Sequence, residues 1–204
     1  MKINDIIKMV IYLKNLIKKM EEYAKDNYVP IARKANIEYL QELIKKENIV
    51  DILELGSAIG YSAICMASVS DNVRVLTIER DEKMYNEAIK NIKEAKLENQ
   101  IEIIFDDIFN VDIQNKQFDL IFIDAAKAQY TKFFEMFSPL LRKNGVIISD
   151  NIELLDLQRL TSSKKSKKLV EKMQNYKEYL KGLSGYNSEF LDIGDGFAIT
   201  RKNN

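Results

Sequence analysis

The 204-residue sequence predicts a doubly wound, Rossmann-like α/β fold built on one mostly parallel sheet with helices on both faces. Three observations carry that prediction. Five short segments, VDILEL, VRVLTIE, QIEIIF, FDLIFID and GVIISD, are almost continuously apolar, the pattern of parallel strands covered on both faces. Helical stretches such as Asp81 to Ala95 and Gln129 to Leu141 lie between them. A glycine-bearing turn, ELGSAIGYS, follows the first strand, at the place where doubly wound sheets bind ligands.

Two helical patterns, within residues 1–47, precede the first strand. In MKINDIIKMVIYLKNLIKKM, residues Ile3, Ile6, Ile7, Val10, Leu13 and Ile17 recur at helical spacing. This describes an amphipathic helix to about Lys25, docked on the body of the protein or on a partner subunit. Lys8 and Lys14 interrupt its apolar run and no small-residue cleavage site follows, which argues against a signal peptide. A second helix is expected from about Arg33 to Lys46. No apolar run approaches the roughly 20 residues that span a bilayer, so no membrane segment is expected. Beyond the fifth strand, a lysine-rich helix from Ser163 to Lys181 leads to SEFLDI and GFAITR, separated by Gly194, Asp195 and Gly196. That is a hairpin signal, expected antiparallel at the sheet's edge. With no internal repeat, linker or low-complexity stretch, residues 1–204 read as a single domain.

Composition removes several chemistries. Lys and Arg total 31 and so do Asp and Glu, so no global field draws the chain to nucleic acid and any RNA contact must be regional. The single cysteine, Cys65, excludes an internal disulfide and a multi-cysteine zinc site, and fits a reducing cytoplasm. The chain has no histidine, which rules out a Ser-His-Asp arrangement and removes the commonest general base.

The turn at Gly56 and Gly60 is not a dinucleotide fingerprint, because Ala58 and Tyr61 stand where glycine is required, and no phosphate P-loop is present. What remains is E-x-G-x-x-x-G, with Glu54 before the turn and Glu79 closing the second strand, where an acid accepts hydrogen bonds from ribose hydroxyls. Asp106 and Asp107 follow the third strand, where a carboxylate meets an adenine amino group. S-adenosylmethionine has the matching parts: ribose, adenine, a cationic sulfonium and an amino acid end. Taken singly, these glycines and acids would be helix caps and solvated strand ends; their common register argues for a ligand.

ELGSAIGYSAICMA, TIERDEKMYNEA, FDLIFIDAAKAQY and GVIISDN, in that order, resemble the cation-dependent O-methyltransferases of the catechol and caffeoyl-CoA type. The resemblance runs from about Val29 to the terminal GDGFAIT. Within the family it is greatest to short bacterial enzymes resembling tRNA 5-hydroxyuridine methyltransferase, which share YVPI before the second helix and end in IGDG. It implies S-adenosylmethionine-dependent methyl transfer to oxygen, a divalent cation, a homodimer, and a catalytic lysine at Lys127 in D-A-A-K. A lysine beside a divalent cation would have its pKa lowered by like charge; the alternative is a solvated lysine in a first helical turn. Asp124 ends the fourth strand, and Asp150 with Asn151 ends the fifth, so three oxygen-bearing side chains converge on one edge of the pocket. Such ligands suit Mg2+, Mn2+ or Ca2+ and not zinc, although Asp124 alone would serve equally as an N-cap before Ala125. Ala32, Glu54, Gly56, Ser62, Glu79, Asp107 and Asp124 are the expected cofactor contacts, with Ala32 standing where VPIM of related enzymes has methionine.

Two acceptors present adjacent oxygens to such a cation: a catechol-like phenol, and 5-hydroxyuridine in tRNA. Lys164, Lys165, Lys167 and Lys168, with Arg159 and Lys172, form a basic cluster that would neutralise RNA phosphates. The same run would also serve as a solvated helix face. The chain has no tryptophan for an aromatic wall around a small flat phenol, though Phe and Tyr serve as well. A non-catalytic S-adenosylmethionine-binding protein is a third reading; it predicts a lost triad, whereas Asp124, Asp150 and Asn151 are all present.

Overall fold

The computed structural model describes residues 3–153 and 164–203, without the side chains of residues 3–6 and 165. Five parallel strands form its centre: β1 (Asp51–Leu55), β2 (Arg74–Glu79), β3 (Ile101–Phe105), β4 (Phe118–Ile123) and β5 (Leu141–Ser149). The hairpin β6 (Tyr186–Leu191) and β7 (Phe197–Lys202) completes a seven-stranded sheet of order β3-β2-β1-β4-β5-β7-β6, with β7 antiparallel to both neighbours. The described helices are α1 (Ile3–Asp26), α2 (Lys34–Glu47), α3 (Tyr61–Ala67), α4 (Glu82–Ala95), α5 (Tyr130–Phe137) and α6 (Lys164–Gly182). Mostly parallel pairing with an antiparallel edge hairpin is the architecture that the apolar runs and the Gly194–Gly196 turn predict.

Alternation along each strand divides the core into two layers. Ile52 of β1 and Phe122 of β4 face a layer with Leu16 and Met20 of α1, Leu40 and Ile44 of α2, and Ile64 of α3. Leu53 and Ile121 face the opposite layer, with Tyr130 and Phe134 of α5 and Tyr176 of α6. Strand order reverses between β1 and β4, so the crevice beyond their carboxyl ends is the topological switch point of the sheet.

Three elements depart from the periodicity. In α1 the docked residues are Leu16, Met20 and Ala24, with Leu13 and Ile17 partly covered, whereas Ile7 and Val10 are 50% and 45% exposed. The reason is length: 24 residues make a helix of about 36 Å, against about 21 Å for the 14-residue α4 on which it lies. The expected helix from Gln129 to Leu141 is broken into a 3-10 turn (Lys127–Gln129), α5 and a second 3-10 turn (Ser138–Leu140), because Pro139 cannot continue α5. Leu141 then pairs with Phe118, so β5 starts four residues before Gly145, across a bulge in which Asn144 has a φ of 64°.

The central strand carries one group that burial should penalise. Glu54 is 0% exposed, and its two oxygens accept hydrogen bonds from the hydroxyls of Ser62 in α3 and Thr77 in β2. Burial pushes its carboxyl up to about 7; the two hydroxyls pull it down, and the nearby Asp124 and Glu79 add to the rise. The folded chain therefore holds a proton here that the unfolded chain releases above its ordinary value of 4.5. The stability contribution of this group falls as pH rises from about 4.5 through about 7. Glu54→Gln should remove that dependence, so the variant gains up to about 3 kcal/mol on the parent between pH 4.5 and pH 8, read from urea unfolding. A stability gap that does not change with pH would refute the assignment.

Candidate functional site

A cavity of about 390 Å³ lies at the switch point. Its floor is the turn after β1. Gly56 has a φ of 99°, and a Cβ there would collide with the carbonyl oxygen of Asp124. The amides of Gly56 and Ser57 both donate to the Ile78 carbonyl, at 3.2 and 3.1 Å, which lays the turn flat across the strand ends. Only glycine permits that close approach of backbone to backbone.

On one wall, Glu79 at the end of β2 is held by three backbone donors. The amide of Ala58 reaches Oε2 at 2.8 Å, and those of Arg80 and Asp81 reach Oε1 at 2.9 and 2.8 Å. Beyond β3, the Asp107 carboxylate accepts from the Phe109 amide at 3.0 Å and from Arg80 Nη1 at 2.8 Å, and these donors hold it below the usual carboxylate range. Asp106 turns one oxygen back to the Asp107 amide at 2.7 Å. Ile108 and Phe109 supply apolar wall, the latter tilted on the buried Phe133 at 5.1 Å between ring centroids.

The opposite edge is built from the ends of β4 and β5. Asp124 lies on the cavity; burial raises its carboxyl above the ordinary value, and Lys127 opposes that rise. The residue preceding the 3-10 turn is Ala126 and no side chain caps it, so Asp124 does not serve as the N-cap. Asp150 is 0% exposed. Its Oδ1 accepts from Asn36 Nδ2 at 2.6 Å, from the Asn151 amide at 2.6 Å and from Asn151 Nδ2 at 3.3 Å, while Oδ2 is buried without a partner. Burial, then the neighbouring Asp124, push this carboxyl up to about 8, against the pull of the Asn151 amide, Lys127 and Asn36.

Two carboxyl groups and an amide oxygen make an all-oxygen donor set, and a buried carboxylate oxygen without a partner is what a hard divalent cation satisfies. The residues present therefore fit such an ion. Among the described residues no cluster of three or more His, Cys, Asp or Glu side chains forms, so the amide of Asn151 is needed to complete the set.

Of the residues singled out from the sequence, Ala32, Gly56, Ser62, Glu79, Asp107, Asp124, Lys127 and Asn151 line the cavity. Glu54 and Asp150 do not. Glu54 belongs to the strand itself and lies behind Ser62, whose hydroxyl donates to it, so Glu54 does not line the cavity as the expectation of a direct contact requires. Asp150 sits back from the cavity behind Asn151. Ser57, Arg80 and Asn36 were not singled out. Ser57 carries a buried hydroxyl oxygen without a partner at the cavity wall, and Asn36 reaches Asp150 from 114 positions away, a distance no local spacing encodes.

The basic cluster is partly described. Lys164, Lys167, Lys168 and Lys172 are exposed on α6, and Lys172 Nζ approaches the Ala128 carbonyl at 3.4 Å, beside the turn that carries Lys127. Arg159 lies outside the described residues. Among those described, no helix is long and apolar enough to cross a membrane.

Known proteins share this architecture. A structure from Staphylococcus aureus, provisionally assigned as a caffeoyl-CoA O-methyltransferase, is 40% identical, with a TM-score of 0.87 and 92% of each chain covered. The O-methyltransferase from Bacillus cereus, solved in complex with SAH, is 25% identical with a TM-score of 0.79, covering 93% of this chain and 91% of that one. A catechol O-methyltransferase of Niastella koreensis is 38% identical over 120 residues, 56% of this chain and only 54% of the relative's length. The family model described as O-methyltransferase matches residues 7–203, nearly the whole sequence. The chain belongs to the O-methyltransferase family.

Proposed function

We propose that the chain transfers the methyl group of S-adenosylmethionine to an oxygen, with a divalent cation such as Mg2+, and that its acceptor is 5-hydroxyuridine in tRNA. One observation carries the reading: a single cavity joins a wall suited to a nucleoside, Glu79 and Asp107, to an edge suited to a cation, Asp124 and Asn151 backed by Asp150. The complex of the Bacillus cereus neighbour with SAH supports the choice of methyl donor.

In this mechanism Glu79, immobilised by three amides, accepts hydrogen bonds from the ribose hydroxyls, and Asp107 accepts from the adenine amino group. Gly56 admits the donor against the backbone, and Ser62 and Ala32 bound its remaining length. Asp124, Asp150 and Asn151 would hold the cation, which would supply Lewis-acid lowering of the acceptor hydroxyl pKa. Lys127 Nζ, as the neutral amine, would receive the hydroxyl proton and become the ammonium. The acceptor oxygen then forms its bond to the methyl carbon in line as the carbon–sulfur bond breaks. That electron pair goes to sulfur, leaving S-adenosylhomocysteine. Alignment of the two reacting atoms supplies much of the rate.

The lysines of α6 support an RNA acceptor, since their exposed face adjoins the Lys127 turn at the cavity. A small catechol-like phenol is the second reading, favoured by the apolar wall of Ile108 and Phe109 and by the catechol O-methyltransferase of Niastella koreensis. A second copy of the chain would cover the exposed apolar residues of α1, Ile7, Met9, Val10, Ile11 and Tyr12, giving the homodimer. The lone buried Cys65 fits a reducing cytoplasm.

Methyl transfer from labelled S-adenosylmethionine, with Mg2+ and with chelator, to tRNA bearing 5-hydroxyuridine and to a catechol separates the acceptors. Cation-dependent label in the RNA alone is expected; label in the catechol alone would move the enzyme to small-molecule chemistry. Asp150→Ala should lower turnover at least about 100-fold. It should leave S-adenosylmethionine affinity within about twofold, and undiminished turnover would take the cation out of the mechanism. Glu79→Ala should instead weaken S-adenosylmethionine by about 10- to 100-fold in calorimetry, through loss of charged hydrogen bonds. Raising salt from 50 to 200 mM should slow tRNA methylation steeply and spare a neutral acceptor. Equal salt responses would return the α6 lysines to ordinary surface.

A further inference from the structure

Asn36 is a buried polar residue in an otherwise apolar face. It is 0% exposed in the first turn of α2, among Ile37, Leu40, Leu43 and Ile44, where an amide is costly unless hydrogen-bonded. Its Nδ2 donates to Asp150 Oδ1 at 2.6 Å. Its Oδ1 has no partner and lies against Gly194, where any Cβ would strike the amide. The neighbouring Asp195 accepts from Arg33 Nε at 2.6 Å and from Asn151 Nδ2 at 3.4 Å, both at Oδ2. Residues at the start of α2 and in the β6–β7 loop thus grip the Asp150–Asn151 pair from two sides.

A cluster serving the fold alone would use its hydrogen-bonding capacity. Here three buried acceptor oxygens, Asn36 Oδ1, Asp150 Oδ2 and Asp195 Oδ1, have no partner among the described residues. Buried polar atoms are rarely left so, and a surplus of acceptors within one hydrogen-bonded cluster calls for a cation or its bound water.

We propose that Asn36 is a positioning residue for the cation: with Asp195 it occupies Oδ1 of Asp150 and holds Asn151, leaving Asp150 Oδ2 as the ligand atom. The inference rests on the cation reading above and deepens it. Such supporting partners are worth about 10- to 100-fold in metal affinity.

The test is Mn2+ binding to the full chain, followed by electron paramagnetic resonance, with S-adenosylmethionine affinity measured in parallel. Asn36→Ala and the near-isosteric Asn36→Leu should weaken Mn2+ about 10- to 100-fold and leave S-adenosylmethionine within about twofold. In an Asp150→Asn background, Asn36→Leu should change Mn2+ binding no further, which a general loss of fold would not reproduce. Mn2+ affinity within twofold of the parent in either folded variant would overturn the proposal. So would parallel loss of Mn2+ and S-adenosylmethionine binding in both variants, which would make Asn36 a fold residue only. If the parent chain itself fails to bind Mn2+, the cation reading falls and takes the positioning role with it.

Discussion

Two carboxyl groups brought to the ends of adjacent strands create the electrostatic constraint on which this site depends. Asp124 follows β4, Asp150 follows β5, burial disfavours the ionised form of both, and Asp124 adds to the cost of ionising Asp150. Such a pair persists only with compensation. Within the chain that compensation is the Asn151 amide, the Asn36 side chain and the charge of Lys127, and it is incomplete, since one oxygen of Asp150 stays without a partner. A divalent ion would reverse the sign of the local problem, turning mutual repulsion into shared attraction. The same reasoning gives Lys127 a use within the chain, as the charge that offsets part of the cost of ionising Asp124.

Parallel register explains why these groups meet. Leu55 of β1 pairs with Ile78 of β2 and with Ile123 of β4, Ile123 pairs with Ser149 of β5, and Glu79 pairs with Phe105 of β3. The next residue along β1, β2, β4 and β5 is therefore at the same level, Gly56, Glu79, Asp124 and Asp150, with Asp106 one residue beyond that level after β3. Four acids separated by up to 71 positions in sequence, Glu79 to Asp150, become one rim because the strands end close to one line. Gly56 completes the rim by lying against the Asp124 carbonyl, a contact that no residue with a Cβ would allow.

That regularity is also why so much of the rim was legible beforehand. An apolar run that stops at an acid announces both the strand and the level at which it ends, so Glu79, Asp106, Asp124 and Asp150 read as strand-end acids from spacing, while the cation role of Asp124, Asp150 and Asn151 came with the family resemblance. What spacing does not encode is depth. Glu54 reads like a rim acid but sits one residue inside β1, where Ser62 and Thr77 enclose it; Asp150 is likewise set back behind Asn151. Partners contributed by distant segments were invisible for the same reason: nothing near Asn36 signals a carboxylate 114 residues away. Periodicity marks the apolar stripe of α1 without saying how far the underlying helices extend, so which part of it docks on the body is not legible in the sequence.

The size of the cavity bears on acceptor choice. A space of about 390 Å³ is near the lower end for ligand sites and suits a nucleoside-sized donor with only the reacting end of an acceptor. On the proposed reading, the rest of an acceptor would lie outside, over the surfaces beside Lys127 and Phe109. Rim chemistry built from strand ends is then common to acceptors that share two adjacent oxygens, and discrimination falls to residues beyond the rim. On this chain those residues are of two kinds, exposed lysines on α6 and the apolar pair Ile108 and Phe109, and they favour acceptors of opposite character. An acceptor carrying phosphates engages the first set at long range, through a field that salt weakens; an uncharged ring engages the second only on contact. The two acceptors therefore differ in which forces select them, although the same carboxylates, cation and in-line geometry would act on both.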